Sequence, residues 1–359
     1  MIKIELDEST RTEIEQLHWK WFESKYSGKQ KKYFQKHVLE RQLQITEKDL
    51  KTIVVGRFDS PYFQNLFQKL KARNNSVKTK KYYESWTKRI ENIFKYESFR
   101  DNKKDWNSYI FFSKLKINVC PYCNREYTFT IKKDENAEMK RIVAPEIDHF
   151  FPQSEYPYLS CSLYNMIPSC HICNHGKREF GEGILYPYDD GFDKDVIFRA
   201  KFNSVIPNNS NFFNVSNAQI FFKAKGCKLF DTPQSICSKC LKVQKSIKTF
   251  HLEEIYNEHK IELQNLFTRY RNYSKPKIDE ITRLILNEKV NLDNLGLNET
   301  QKNDLYQKIA NTYTKCIKHN ILGFPLGADD KQYPLRKFKE DIIEQLDNTV
   351  KKMFEEVQK

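Results

Sequence analysis

Two short cysteine turns constrain this chain more than any other feature: Cys120-Pro-Tyr-Cys123 and Cys170-His-Ile-Cys173. Four thiolates carried on two CxxC turns have the spacing of a closed, structural zinc site. A cation held that way fixes both turns side by side and clamps the segment between them. That segment contains Pro145-Glu-Ile-Asp-His149, and Asn174-His-Gly-Lys177 follows the second turn. Four cysteines meeting by chance is a poor alternative, because both pairs share one spacing and flank residues with chemistry.

The chain has 359 residues, enough for about two domains on length alone. It carries 61 Lys and Arg against 47 Asp and Glu, a formal charge of +14. Such an excess points to a polyanionic partner, most simply nucleic acid, although a solvated lysine-rich surface has the same composition. No apolar run approaches the roughly 18 residues that a membrane helix needs. Met1 is followed by no basic-then-apolar leader. Nine cysteines, four of them in zinc spacing, read as thiols of a reducing cytoplasm rather than as disulfides.

The expected fold class is α+β and predominantly helical. Residues 1–105 read as a basic helical region, with Ile14, Leu17, Trp21 and Phe22 near helical period. Lysines and arginines interleave with Tyr82, Tyr83 and Trp86. That pattern suits a phosphate backbone and stacked bases, or equally a helix with its aromatics turned inward. Residues 106–194 hold the chemistry: strands over 127–131 and 141–149, a Pro-broken loop over 150–169, and a helix after Cys173. Residues 195–226 read as a second β-hairpin, and 227–359 as helices. The last helix has Ile343, Leu346, Val350, Met353 and Val357 in an apolar seam.

A histidine of ordinary pKa is a good general base for water, the role open to His149. Asp148 beside it is a hard oxygen ligand for Mg²⁺ or Mn²⁺. Successive strand residues face opposite sides, so a bend is needed to bring both into one pocket. Asn165 could accept the imidazole N–H and fix the ring, or could simply support the Pro-rich loop. Asn174 or His175 could complete the catalytic metal site. Lys177 and Arg178, one turn further on, could hold phosphate. A third CxxC, Cys237 to Cys240, with Cys227 and His251 nearby, lacks compact zinc spacing, and Cys240 lies on an apolar helical stripe.

Together CPYC, EIDHF, the Leu163-Tyr-Asn165 segment and CHICNHGK resemble the HNH (ββα-metal) endonuclease superfamily with a CxxC zinc frame. The resemblance covers about residues 106–180. It implies a ββα-metal core stapled by zinc. It makes His149 the general base, Asp148 a metal ligand and Asn165 the residue that orients the base. Asn174 stands where the name-giving last His is expected, with His175 one position late. Trp106-Asn-Ser-Tyr109, CPYCNREYTF, IDHFFPQSEYPYLS and Phe250-His-Leu-Glu-Glu-Ile-Tyr-Asn-Glu-His259 resemble, more narrowly, the HNH subunit of Septu-type antiphage systems and HNH effectors of some retrons. That resemblance implies an SMC- or ABC-like ATPase partner. The competing expectations are cleavage of RNA or tRNA, and a zinc-stapled binding or assembly subunit without catalysis.

Overall fold

The computed structural model describes residues 1–25, 34–78, 81–102, 106–135, 138–177, 182–192, 195–201, 218–224, 238–272, 280, 284, 296–324, 329 and 331–357. Met1–Asp193 with Pro233–Phe250 forms one compact unit, and Lys194–Thr232 with His251–Lys359 another. Residues 1–105 and the two cysteine turns therefore share a unit.

In the first unit, Asp7 starts α1 (Glu8–Ser24) by accepting the Thr10 N–H at 2.7 Å. A π-helical segment, Phe34–Leu43, follows. Thr46 and Asp49 cap α2 (Glu47–Val55) reciprocally. Then come α3 (Pro61–Lys78), α4 (Tyr83–Ile93), the single turn α5 (Glu97–Arg100) and α6 (Ser108–Leu115). The sheets are β1 (Ile131–Glu135) with β2 (Glu138–Val143), and β3 (Glu146–His149) with β4 (Met166–Ser169), both antiparallel. Helix α7 (His171–Lys177) follows at once. Helix α8 (Ser238–Thr249) completes the unit.

Three expectations for residues 127–177 change. Within Lys132 to Lys140, read as a polar connection, residues 132–135 and 138–140 lie in the paired strands β1 and β2, and Pro145 separates β2 from β3. Residues 166–169, read as loop, pair with β3, with Pro168 opposite Ile147. Each strand of a two-stranded sheet has an outer edge, where a missing N–H breaks no ladder bond. The helix begins at His171, inside the second cysteine turn rather than after it.

The N-terminal region builds walls for this segment. Ile2 donates to the Pro121 carbonyl at 2.7 Å, so the first residues lie along the first cysteine turn. Phe67 of α3 packs on Phe151 and Tyr156, with ring centroids 4.8 and 5.3 Å apart. His18 is fully buried on the stripe of Ile14 and Phe22. Its Nε2 donates to the Cys161 carbonyl at 2.8 Å and its Nδ1 accepts the Trp106 N–H at 3.1 Å. Both ring nitrogens are thereby satisfied with the imidazole neutral.

In the second unit, β5 (Val196–Lys201) and β6 (Gln219–Ala224) form the expected hairpin. Helices α9 (Leu252–Asn257), α10 (Lys260–Asn272), α11 (Glu299–Leu322) and α12 (Arg336–Val357) accompany it. Side chains cover both outer edges of the hairpin. Asp341 and Gln345 of α12 accept the Phe198 and Ala200 N–H groups at 2.8 and 3.0 Å. Asn257 of α9 takes the Ile220 N–H at 2.9 Å. Edges capped this way are closed to further strand pairing. Phe198, Phe222, Tyr256 and Phe338 fill the core beneath. The seam of α12 is buried at Ile343 and Leu346; the side chains of Val350, Met353 and Val357 lie outside those described. The chain is α+β and mostly helical, and no helix among the described residues is long and apolar enough to cross a membrane.

Candidate metal centre and the strand beside it

The four cysteines converge. The sulfurs of Cys120, Cys123, Cys170 and Cys173 all lie within 4.8 Å of one another and all four residues are buried. Asn124 closes the first turn at φ 53°, in the left-handed region that Asn tolerates, and its N–H bonds the Cys120 carbonyl at 2.8 Å. The Cys123 and Cys170 sulfurs stand 3.9 Å apart. Bonding among the thiols, led by Cys120, holds Cys123 well below the usual thiol range, while burial holds Cys120 well above it. A buried all-sulfur donor set with no oxygen among its ligands suits a closed structural site for a metal such as zinc.

From this frame a polar chain runs into β3. Tyr122, within the first turn, is fully buried, stacks on Phe250 at 4.5 Å and donates its hydroxyl to Asp148 Oδ2. Lys177 Nζ reaches Asp148 Oδ1 at 2.9 Å and the His149 carbonyl at 2.7 Å. Lys177 is completely buried and Asp148 is 3 % exposed. Burial raises the Asp148 carboxyl and lowers the Lys177 ammonium, and their attraction opposes both shifts.

Two expected site residues point elsewhere in this structure. Lys177, read as a phosphate contact, points inward and neutralises Asp148. Asp148, read as a catalytic-metal ligand, has both oxygens engaged inside the core. The bend needed to bring Asp148 and His149 into one pocket is absent, because the ladder stays regular through Asp148↔Ile167 and His149↔Met166. Arg178 lies outside the described residues.

His149 faces the other side of β3, edge-on to Tyr96 with centroids 5.0 Å apart. Its Nε2 is 3.0 Å from the Ser160 carbonyl, which requires the proton on Nε2. Nδ1 then carries the lone pair, and the Gln153 amide nitrogen lies 3.1 Å from Nδ1 and 2.7 Å from Nε2. Burial lowers the imidazole to about 4, so the ring is neutral at neutral pH. Asn165 does not supply the expected bond to His149. Its Oδ1 accepts the Phe151 N–H at 2.7 Å, and its Nδ2 donates to the Phe151 and Leu159 carbonyls, each at 3.0 Å. It thus ties both ends of the loop whose Ser160 carbonyl holds the imidazole.

Sequence reading missed two residues. Glu146 stands two positions before Asp148, on the same strand face, at the solvent end. Its Oε1 is 2.6 Å from His171 Nδ1, and its Oε2 accepts from Asn174 Nδ2 at 2.9 Å. His171, hidden inside the second cysteine turn, lies one helical turn from His175, with ring centroids 4.1 Å apart. Ligand atoms of Glu146, His171 and His175 all lie within 4.8 Å of one another. The signal available beforehand was the i, i+4 histidine spacing. Asn174 and His175 therefore gather on Glu146, not on Asp148.

Of the remaining cysteines, Cys227 and Cys237 lie outside the described residues, and Cys240 is half-buried. Along the basic N-terminal helices, Trp86 turns inward whereas Tyr82 is exposed.

No family model matches the chain, and no solved structure matches it. Over 61 residues it is 37 % identical to Protein ea31 of Escherichia phage lambda, a match spanning 15 % of this chain and 20 % of that protein.

Proposed function

We propose that the chain is an HNH-type endonuclease that hydrolyses phosphodiester bonds, with DNA as substrate. The observation that carries this reading is His149. Its imidazole is neutral, held through Nε2 by the Ser160 carbonyl, and keeps a lone pair on Nδ1. It sits on a β-hairpin and helix clamped by the cysteine frame. That arrangement suits a general base: one nitrogen fixed, the other carrying the lone pair that takes a proton from water. The Gln153 amide stands where that water would be, so Gln153 gives way or shares the site. The formal charge of +14 favours a polyanionic substrate.

A divalent cation at such a site supplies Lewis-acid stabilisation of charge developing on the phosphate. Of the set expected from the sequence, Asp148, Asn174 and His175, the Asp148 oxygens bond Tyr122 and Lys177, and Asn174 bonds Glu146. Asp148 instead orders the strand that carries the base. An antiphage role beside an ATPase partner rests on the motif resemblance, and co-purification with that partner is its test.

The substrate class is tested by incubating purified protein with supercoiled plasmid, linear duplex, single-stranded DNA and structured RNA, each with Mg²⁺, Mn²⁺ or EDTA. Cleavage of the DNA substrates that EDTA abolishes is expected. Cleavage confined to RNA would transfer the reading to a ribonuclease. Nucleic-acid binding with no cleavage of any substrate would favour a non-catalytic, zinc-stapled binding module.

A further inference from the structure

We propose that Glu146, His171 and His175 form a second, solvent-facing site for a transition-metal ion, separate from the tetrathiolate site. Two imidazoles and one carboxylate bring their ligand atoms within 4.8 Å of one another. The three come from two elements that fix them independently. Glu146 stands at the start of β3, whose pairing with β4 sets its direction, opposite Ser169. His171 and His175 stand one turn apart on α7, which the second cysteine turn anchors to the buried frame. Asn174 donates to Glu146 Oε2 at 2.9 Å and orients the carboxylate from the side, as a supporting residue does at built metal sites.

The donor set defines the ion. Two imidazole nitrogens and a carboxylate favour zinc and its neighbours Co²⁺ and Ni²⁺ over Mg²⁺, which prefers oxygen ligands in an octahedron. Three protein ligands leave a coordination position open, unlike the four thiolates. Side-chain exposures of 39 % at Glu146 and 67 % at His171 give an ion direct access from solvent. His171 Nδ1 lies 2.6 Å from Glu146 Oε1, and an ion bound between them replaces that hydrogen bond. Among the described residues the His175 ring makes no hydrogen bond, so its nitrogens are unspent. The site does not depend on whether the chain cuts nucleic acid.

Cobalt(II) titration of the full chain, stripped of metal and kept reduced, tests this directly. The first equivalent is expected to give the intense sulfur-to-cobalt charge-transfer band of the tetrathiolate. The second is expected to add weaker d–d absorption with no further thiolate band. His171→Ala/His175→Ala should lose the second equivalent and keep the first. Glu146→Gln should weaken the second and leave the first unchanged. Thermal melting of each zinc-loaded variant checks that it is folded. A wild type that saturates at one equivalent would overturn the proposal. So would a second equivalent that persists in the folded double-histidine variant.

Discussion

Lys177 Nζ lies 2.9 Å from Asp148 Oδ1, and the lysine side chain has no exposed surface at all. A charge buried this deeply survives only when paired. The pair bridges the helix that begins inside one cysteine turn and the strand that lies between the two turns, and Tyr122 adds the other turn to the same carboxylate. The cysteine frame and the β3–α7 packing are thereby one structural system.

Lys177→Met should therefore behave as a core mutation. Removing one partner of a buried pair costs about 3–5 kcal/mol, because the other charge stays behind unpaired. Denaturant unfolding should show that loss. Replacing both residues, as Asp148→Leu with Lys177→Met, should recover part of it. A Lys177→Met protein of normal stability with weakened nucleic-acid binding would restore the phosphate-contact role.

Cys170→Ser should remove one ligand from a buried tetrathiolate site. Structural zinc sites couple metal affinity to folding, so zinc content and cooperative melting should fall together. Elemental analysis of purified wild type and variant reads the first, and calorimetry the second. Full zinc occupancy with an unchanged melt would remove Cys170 from the site.

His18 makes stability depend on pH. Burial lowers its folded-state value to about 4 from an ordinary 6.5. Between those values the unfolded chain binds the proton that the folded chain refuses. The contribution of His18 is complete above pH 6.5, falls as pH drops, and is gone by about pH 4. Its size is about 3 kcal/mol at 1.36 kcal/mol per pKa unit. His149, lowered to about 4 by burial as well, acts over the same window, so denaturant midpoints measured from pH 7.5 to pH 4 should fall with both histidines and His18→Gln should remove about half of the fall.

Asn165→Ala should strip three hydrogen-bond partners from backbone groups at Phe151 and Leu159. At about 1 kcal/mol each, the cost is about 3 kcal/mol. The loop carrying the Ser160 carbonyl should loosen with it, so activity should fall as well. Hydrogen exchange at Phe151 should rise. A variant of unchanged stability would contradict the loop-locking geometry.

Legibility followed the length scale of each signal. The cysteine frame was legible because CxxC spacing is local and nearly independent of the surrounding fold. The opposition of Asp148 and His149 was also legible, since strand alternation demands it; the expected bend was not. What lay hidden was tertiary. Lysines at helix ends usually face water, and only the burial of Asp148 by Tyr122 turns Lys177 inward. Strand β4 was masked by Pro168, which is harmless at a sheet edge. His171 sat unnoticed inside a cysteine turn, and Glu146 acquired meaning only when α7 packed across its strand.

The most direct test of the proposed activity is the rate at which supercoiled plasmid is nicked by wild type and by His149→Ala, at equal zinc content and with matched melting curves. The account predicts nicking by the wild type that stops in EDTA, and a rate roughly 100-fold or more lower in the variant, the usual loss when a general base is removed. Equal nicking rates for the two proteins would contradict the assignment of His149 as the base. No nicking by the wild type with any divalent metal would contradict the DNA endonuclease reading.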